Sequence, residues 1–324
     1  MSKIIKSIGV LTSGGDAPGM NCAIRAVVRS AISRGLKVYG IRRGYNGLMN
    51  GDIIEMDLRS VSEIMHRGGT VLYTARCKEF ETPEGVLKAK KTCEEHNIDG
   101  IVVIGGDGTF KGARQLSQAG IPCIGIPATI DNDIVSTDYT IGFDTALNTA
   151  VEAIDKLRDT AQSLDRCSIV EVMGNGAGHL ALAACVACGG LACILKESEI
   201  DVERDIIQKI NTGIKKGKHD FIIIASEDTC DLNALAKEIS QKTGVETRVT
   251  VLGHIQRGGN PTASDRILAT RFGDKAVELL SHGIQSRVVV SKNGYILDYD
   301  ISEALAMHKN INIELIDVND RISV

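Results

Sequence analysis

Short apolar runs and helix-spaced apolar positions alternate along this chain, which predicts parallel strands joined by crossover helices. Several of the runs are apolar throughout, as is typical of strands in a sheet covered on both faces. We therefore expect an α/β fold with strands at residues 8–12, 37–41, 101–104, 123–126, 168–172, 221–225 and 247–252.

Two helical stretches organise the chain between these strands. The first runs from about Met20 to Arg34 and is stopped by Gly35, and the second runs from about Asp144 to Ala161. The second helix could mark the passage into another domain, because 324 residues suit two domains of roughly 150 residues each. No segment rich in proline or serine separates the halves, so we expect a compact boundary that the chain could cross more than once.

Glycines cluster directly after three of the expected strands, at residues 13–19, 105–109 and 174–178. Glycine lets backbone N–H groups approach phosphate oxygens, and a helix N-terminus adds favourable partial charge. One such cluster could equally be a tight turn between a strand and a helix. Three in similar topological places favour phosphate binding. The chain lacks G-x-x-x-x-G-K-[ST], and none of the clusters completes G-x-G-x-x-G.

Asp107 stands among glycines after an apolar strand. Mg²⁺ binds one or two carboxylates together with phosphate oxygens and water, so a carboxylate beside a phosphate site fits this ion. A cap on the following helix is the alternative.

Asp131 and Asp133 alternate in the sequence TIDND at residues 129–133. In an extended segment both carboxylates would face one side, where one could act as a general base and the other as its orienter or a second metal contact. The same composition also favours an Asx-rich turn.

Four arginines lie in loop-like or glycine-rich settings, namely Arg76, Arg166, Arg248 and Arg257. The guanidinium fork suits bidentate capture of phosphate. Together with the glycines and carboxylates, these residues indicate phosphoryl transfer between two phosphate-bearing ligands.

Charge and cysteine content exclude several classes of protein. Basic and acidic residues number 37 and 41, so the net charge of −4 argues against a general nucleic-acid or membrane-surface binder. No apolar run approaches the roughly 18 residues that span a membrane.

Nine cysteines without a secretory signal predict reduced thiols in a cytoplasmic protein. Cys185, Cys188 and Cys193 fit buried structural thiols better than a metal site.

The motifs taken together resemble the bacterial ATP-dependent 6-phosphofructokinases over essentially the whole chain. Each motif is moderately specific, since GGDGT also occurs in NAD kinases and lipid kinases, but their order is highly specific. The segments that carry the resemblance are IGVLTSGGDAPGMN at 8–21, HRGGTVLYTARC at 66–77, GGDGT at 105–109, TIDND at 129–133, IGFDTALN at 141–148 and VTVLGHIQRGG at 249–259.

The resemblance implies a role for each matching residue. Asp131 is implied to be the general base on the 1-hydroxyl of fructose 6-phosphate, supported by Thr129, Asp133 and Arg76. The residues implied to bind ATP are Gly15, Arg76, Cys77, Gly106, Asp107, Gly108 and Thr109, with Asp107 on Mg²⁺. Those implied to bind fructose 6-phosphate, besides Thr129 and Asp131, are Met173, Gly174, Asn175, Glu227, His254 and Arg257, with Arg166 and Arg248 reaching in from a neighbouring subunit of a homotetramer.

The implied fold is two Rossmann-like three-layer α/β/α domains with the active site in the cleft between them. An ATP-binding domain takes residues 1–142 and 256–307, and a sugar-phosphate-binding domain takes 143–255 and 308–324. Small residues at Gly108 and Ala128 favour ATP, because pyrophosphate-dependent relatives resemble GGDD at the first position and carry lysine at the second.

Departures from the family pattern concern Asn175, where well-known members have arginine, and Lys196, where proline is common. Ala128 replaces a usual glycine. Basic positions that hold an effector's phosphates are matched by Arg25, Arg29, Arg158, Lys216 and Lys218, but Ala192 stands near an expected glutamate. We expect a weakened or altered response to ADP and phosphoenolpyruvate as effectors. The competing hypotheses are an NAD kinase, a pyrophosphate-dependent enzyme and a catalytically weak regulatory or sensor paralogue.

Overall fold

The computed structural model describes residues 5–323. Its strands alternate with helices, as the apolar runs predicted. In chain order the strands are β1 (Ser7–Thr12), β2 (Lys37–Ile41), β3 (Ile53–Met56), β4 (Gly100–Gly105), β5 (Cys123–Thr129), β6 (Ile141–Gly142), β7 (Cys167–Val172), β8 (Ala192–Ile194), β9 (Phe221–Ser226), β10 (Thr247–Val251), β11 (Arg287–Lys292) and β12 (Tyr295–Asp300).

The helices connect these strands, and short 3₁₀ turns lie at Glu79–Glu81 and Gly253–Arg257, with a π-helical turn at Val202–Ile207. The helices are α1 (Met20–Ser33), α2 (Gly44–Asn50), α3 (Pro83–Glu95), α4 (Asp107–Gln118), α5 (Phe143–Ser163), α6 (His179–Ala187), α7 (Gln208–Lys215), α8 (Leu232–Thr243), α9 (Ala263–Ser281), α10 (Ile301–Ala306) and α11 (Ile313–Ile322).

The chain divides into two compact bodies. The first contains the chain up to Ile130, Ile134–Thr145 and Arg257–Lys309, and the second contains Asp131–Asp133, Ala146–Gln256 and the chain from Asn310 onward. The ATP-binding and sugar-phosphate-binding domains inferred from the resemblance stay a prediction. The structure differs from them in grouping Asp131–Asp133 with the second body, where Asp133 Oδ2 accepts a hydrogen bond from Asn175 Nδ2.

The sheet of the first body has the order β12-β11-β5-β4-β1-β2-β3, with β6 paired to β5. Strands β1, β4 and β5 are parallel neighbours at its centre, and every residue of β1 and β4 is buried. Helices α2, α3, α4 and α10 share a hydrophobic cluster with alternate strand residues such as Leu11, Ile101 and Val103. Helices α1 and α9 pack on each other and on β1, β4 and β5. This body is therefore a three-layer α/β/α unit.

The second body contains a parallel sheet of order β10-β7-β9-β8. Helices α7 and α8 share a core cluster with alternate residues of β7 and β9. The intervening residues Val170, Ile222 and Ile224 are also buried, and α6 contacts β7, β8 and β9. The predicted α/β fold class is confirmed in both bodies.

Residues 130–133 do not continue β5 as an extended segment. The strand ends at Thr129, the chain bends at Ile130 and Asp131, and Asn132 has φ of 51°, in the left-handed region that asparagine tolerates well. Of the two alternatives for TIDND, the extended segment with both carboxylates on one side is therefore not found. The turn alternative describes this backbone, with Asp131 buried and Asp133 half-buried.

Two further findings concern the whole described chain. No helix within residues 5–323 is long and apolar enough to cross a membrane. All nine cysteines are free thiols, and the described residues contain no group of three or more side chains able to hold a metal ion. Cys185 is buried and its Sγ contacts Asn319 Oδ1 at 3.6 Å, as expected of a structural thiol.

Candidate active site

In the first body, the sheet reverses its strand order between β1 and β4, since β2 lies on one side of β1 and β4 on the other. Open parallel sheets bind ligands beyond the carboxyl ends of their strands at such a point. The first glycine cluster follows β1 and the second follows β4. The fold thus brings these two clusters to neighbouring strand ends.

Buried hydrogen bonds fasten the two clusters to each other. Thr109 Oγ1 donates to the carbonyl of Ser13 at 3.0 Å, and the amide of Ser13 donates to the carbonyl of Ile104 at the same distance. Tyr45 Oη donates to the carbonyl of Thr109 at 2.6 Å. Gly105 must lack a side chain, because a Cβ there would lie 2.3 Å from the Ser13 carbonyl oxygen.

Backbone amides of these clusters remain open for a ligand. In the part of the chain that the structure describes, the N–H groups of Gly14, Gly15 and Gly108 donate to no protein acceptor. Gly15 and Gly108 are exposed, and Gly108 lies in the first turn of α4. Free amides at a helix N-terminus form an anion-binding site.

Asp107 is the first residue of α4 and is half-buried. Within the described residues no cluster of three or more metal-binding side chains is found. One carboxylate beside amides that can bind phosphate does fit Mg²⁺, which takes its remaining ligands from phosphate oxygens and water.

The segment that carries Arg76 and Cys77 lies along the first glycine cluster. Thr74 Oγ1 donates to the carbonyl of Gly14 at 2.7 Å, and Thr12 Oγ1 donates to the carbonyl of Tyr73 at 2.8 Å. Arg76 is exposed, whereas Cys77 packs partly against the core. These contacts hold the Arg76 backbone close to the open amides.

Arg257 lies beside the first glycine cluster. Its Nη1 is 3.3 Å from the position that a Cβ on Gly15 would take. Its Nε is buried and, among the described residues, has no hydrogen-bond partner. Sequence reasoning assigned Arg257 to the sugar-phosphate pocket, and the structure groups it with Gly15 in the first body.

In the second body the strand order reverses between β7 and β10. The third glycine cluster follows β7, and His254 follows β10. Buried Gln256 joins these two ends, since its Oε1 accepts from the amide of Met173 at 3.4 Å and its Nε2 donates to the carbonyl of Gly253 at 3.0 Å.

The amides of the third glycine cluster are already occupied by carboxylates. Glu227 Oε1 accepts from the amides of Gly174 and Asn175, at 3.1 and 2.7 Å. Glu197 Oε1 accepts from the amide of Gly178 at 2.7 Å. Glutamates of the chain itself thus stand where an anion would bind these amides, and phosphate binding by this cluster stays a prediction.

Arg166 and Arg248 both pair with Glu246, through contacts of 2.8 and 2.5 Å. Hydrogen bonding from Arg248 lowers the pKa of Glu246, and Arg166 adds to the effect. The two arginines are thus held together at one edge of the second sheet, where Arg248 lies opposite Ser168 on β7.

The residues predicted to bind an effector are divided between the bodies. Arg25 and Arg29 stand one turn apart on α1 in the first body. Arg158, Lys216 and Lys218 belong to the second, where Arg158 pairs with Asp220 at 3.5 Å and donates to the carbonyl of Cys188. Lys218 Nζ lies 5.6 Å from the ring centroid of Phe221.

Comparison with protein families identifies the chain. A family model described as phosphofructokinase matches residues 7–280. The chain belongs to the phosphofructokinase family. The ATP-dependent 6-phosphofructokinase of Clostridium botulinum strain Hall is 56% identical over 314 residues, covering 97% of this chain and 98% of that protein. The protein of the same name from Clostridioides difficile strain 630 is 55% identical over 320 residues, covering 99% and 100%.

Solved structures of phosphofructokinases share the fold. The phosphofructokinase of Saccharomyces cerevisiae aligns with a TM-score of 0.86 and 33% identity over 93% of this chain, which spans 45% of that longer chain. The pyrophosphate-dependent phosphofructokinase of Marinobacter aquaeolei aligns with a TM-score of 0.87 and 23% identity, covering 98% of this chain and 88% of that one. This second likeness shows the fold alone.

Two residues that hold the backbone of the motif segments in place were not singled out from the sequence. Gln256 went unassigned although it lies inside a quoted motif. Asp265 was also missed, and its Oδ2 accepts from the amide and the hydroxyl of Thr145, at 2.9 and 2.5 Å, while its Oδ1 accepts from the amide of Gly142 at 2.9 Å. Its spacing from Thr262 matches the pattern of a helix capping box, which was the available signal.

Proposed function

We propose that this chain is an ATP-dependent 6-phosphofructokinase that phosphorylates the 1-hydroxyl of fructose 6-phosphate. The observation that carries the proposal is the pair of fastened glycine clusters with open amides beside Asp107 in the first body. Such a site suits the phosphates of a nucleotide. The substrate is inferred from the names of the relatives. The alignments cover nearly the whole of both chains, which supports assigning the same substrate to this chain.

The reaction transfers the terminal phosphoryl group of ATP to the sugar. The bond from phosphorus to the bridging oxygen of ADP breaks, a bond to O1 forms, and the hydroxyl proton passes to a base. We assign Asp131 as that base, oriented by Thr129 and Asp133. Asp131 is buried, and a base must lie within hydrogen-bond reach of the hydroxyl proton that it accepts.

The donor residues are assigned within the first body. The amides of Gly14, Gly15 and Gly108 bind phosphate oxygens, with Gly106 and Thr109 shaping the turn and Arg76 and Arg257 adding positive charge. Mg²⁺, held by Asp107 with phosphate oxygens, would neutralise charge on the donor. Cys77 contributes to the wall beside the nucleotide.

The acceptor residues are assigned mainly within the second body, as Met173, Gly174, Asn175, Glu227 and His254. We include Arg166 and Arg248 as phosphate ligands for the site of a neighbouring chain in a homotetramer. Their shared partner Glu246 keeps both guanidinium groups fixed until a phosphate replaces it.

The donor is assigned as ATP rather than pyrophosphate on the basis of Gly108. A Cβ on Gly108 would meet no heavy atom within 4 Å, so the space beyond it is open to the rest of a nucleotide. An aspartate would place negative charge in that space. Pyrophosphate is the alternative donor to test.

The deciding experiment couples fructose 1,6-bisphosphate formation to a spectroscopic signal, with ATP or pyrophosphate as donor. We expect turnover with ATP, and we expect Asp131→Ser and Asp131→Asn to lose about 10²-fold or more in kcat. Asp317→Asn, an exposed aspartate on α11, serves as the control and should retain wild-type rates. Turnover with pyrophosphate alone would reverse the donor assignment. No turnover with either donor, from folded protein that binds nucleotide, would favour a sensor.

A further inference from the structure

Carboxylate side chains from other segments surround the loop after β7. Glu227 and Glu197 accept its backbone hydrogen bonds, and Asp133 Oδ2 accepts from Asn175 Nδ2 at 3.3 Å. Burial raises the pKa of Glu171, on the strand before this loop, and the carboxylates of Glu227 and Asp228 raise it further. The potential at this end of the second sheet is therefore negative, so a phosphate group could bind beside the loop only with the help of a cation.

Lys196 brings a cation to this loop from the segment after β8. Its Nζ lies 3.5 Å, and its Cδ 3.9 Å, from the position that a Cβ on Gly176 would take. Gly176 has φ of 82°, so a side chain is disfavoured there and the lysine stem can cross the loop. Lys196 is exposed, and within residues 5–323 no carboxylate pairs with its ammonium.

The neighbours of Lys196 hold its backbone in place, and none of them forms an ion pair with its ammonium. Glu197 is fixed by the amide of Gly178 at 2.7 Å, which anchors the segment to the start of α6. Asn175, in the left-handed region with φ of 52°, is neutral and directs its amide group to Asp133. The loop therefore has the Lys196 ammonium beside Gly176, next to Asn175, whose backbone and side-chain amides donate to Glu227 and Asp133.

We propose that Lys196 binds the phosphoryl group as it arrives on the acceptor, and so stabilises the transition state and the bisphosphate product. This inference rests on the proposed function, since the phosphoryl group is the one that phosphofructokinase chemistry would transfer. An ammonium ion aimed at developing phosphoryl charge acts on the rate more than on substrate binding. The sugar's own phosphate is left to other residues, such as Arg166 and Arg248.

The test compares Lys196→Gln with Lys196→Arg, and uses Lys237→Gln, an exposed lysine on α8, as the control. We expect Lys196→Gln to lose about tenfold in kcat with KM for fructose 6-phosphate within about twofold, and Lys196→Arg to stay close to wild type. Calorimetry should show about tenfold weaker binding of fructose 1,6-bisphosphate and unchanged binding of fructose 6-phosphate. Equal melting temperatures would exclude unfolding as the cause.

A second variant tests whether the lost positive charge causes the weaker product binding of Lys196→Gln. Asn175→Arg placed on the Lys196→Gln background returns a cation to the same loop, and it should restore fructose 1,6-bisphosphate affinity to within about threefold of wild type. Unchanged kcat and product affinity in Lys196→Gln would overturn the proposal, as would a loss confined to the KM for fructose 6-phosphate. An inactive wild-type protein would instead refute the proposed function, and the two binding measurements would still decide the role of Lys196.

Discussion

Two glycine clusters of the first body and one of the second occupy the same kind of place, yet their amides have different partners. Gly14, Gly15 and Gly108 donate to no acceptor in the described chain, whereas Gly174, Asn175 and Gly178 donate to Glu227 and Glu197. Glycine after a strand therefore shows only that the backbone turns tightly. Whether the turn can bind phosphate depends on which acceptors have already taken its N–H groups.

The same topological rule, ligand binding where the strand order reverses, supports two kinds of recognition in this chain. Both sheets reverse their strand order where the clusters lie. In the first body the resulting site offers backbone donors, which suit a polyphosphate. In the second body it offers carboxylates and the Lys196 ammonium, which suit hydroxyl groups and a single phosphoryl group.

The largest expected effect comes from adding one methyl group to either kind of loop. A Cβ on Gly105 would lie 2.3 Å from the Ser13 carbonyl oxygen, and one on Gly174 would lie 2.2 Å from the Ala177 carbonyl oxygen. We expect Gly105→Ala and Gly174→Ala each to lower the free energy of unfolding by about 3 kcal/mol. Denaturant titration measures this loss.

Ligand binding should separate these two variants. Gly105→Ala should weaken ATP binding and spare fructose 6-phosphate, and Gly174→Ala should do the reverse. Gly108→Ala is the matched control for stability alone, because its Cβ meets no protein atom within 4 Å, whereas Gly108 itself is assigned to the ATP site. Loss of the same ligand in both variants would contradict the division of roles between the loops.

A smaller effect is expected at Glu227, whose carboxylate occupies two amides of the third cluster. Glu227→Gln retains the Oε1 acceptor and should cost less than about 1 kcal/mol of stability, whereas Glu227→Leu leaves both amides without an acceptor and should cost about 2 kcal/mol. Inorganic phosphate should then raise the melting temperature of the leucine variant more than that of the glutamine variant. Equal responses to phosphate would show that occupied amides do not explain the difference between the loops.

The smallest effect concerns Asp265, a carboxylate of the first body that, like Glu227, accepts backbone amides. Burial raises the pKa of Asp265, and hydrogen bonds from Thr145 and Gly142 only partly oppose the rise. Protonation therefore favours the folded state, so this contribution to stability is fully present below the unfolded pKa of about 3.9 and is lost as pH rises through the folded value.

Asp265→Asn should remove that dependence. The difference in melting temperature between wild type and variant should then change as the pH rises above about 4, with the wild type losing relative stability at the higher pH. A difference that stays constant over this range would show that the hydrogen bonds compensate fully for burial.

Much of the central fold could be predicted from the sequence, because strands buried on both faces leave continuous apolar runs. Residues 8–12 and 101–104 lie inside the fully buried strands β1 and β4, and 221–225 inside β9. Strands β3, β8, β11 and β12 were not predicted. β3 and β12 are partly exposed edge strands with acidic residues and β8 has only three residues, whereas the buried run 288–290 of β11 was overlooked. The hairpin of β11 and β12 had an available signal in Asn293-Gly294, which is typical of tight turns between antiparallel strands.

The site was predictable only as far as residue types determine it. Asp107 at the start of α4 and buried Asp131 were singled out from their motifs. The occupied amides of the third cluster could not be foreseen, because Glu197 and Glu227 lie far along the chain from Gly178 and Gly174. For the same reason, the sequence showed that Lys196 departs from the family pattern but did not show that its side chain lies over Gly176.

The pairing of β5 with β11 has a consequence for how the protein is made. Ile124 lies opposite Arg287, so about half of the chain must be synthesised after β5 before β11 covers the free edge of that strand. The sheet of the second body is complete once Val251 has emerged. A growing chain should therefore form the second sheet while β5 still exposes unpaired backbone groups, which makes the interval before β11 emerges the period of greatest aggregation risk during translation.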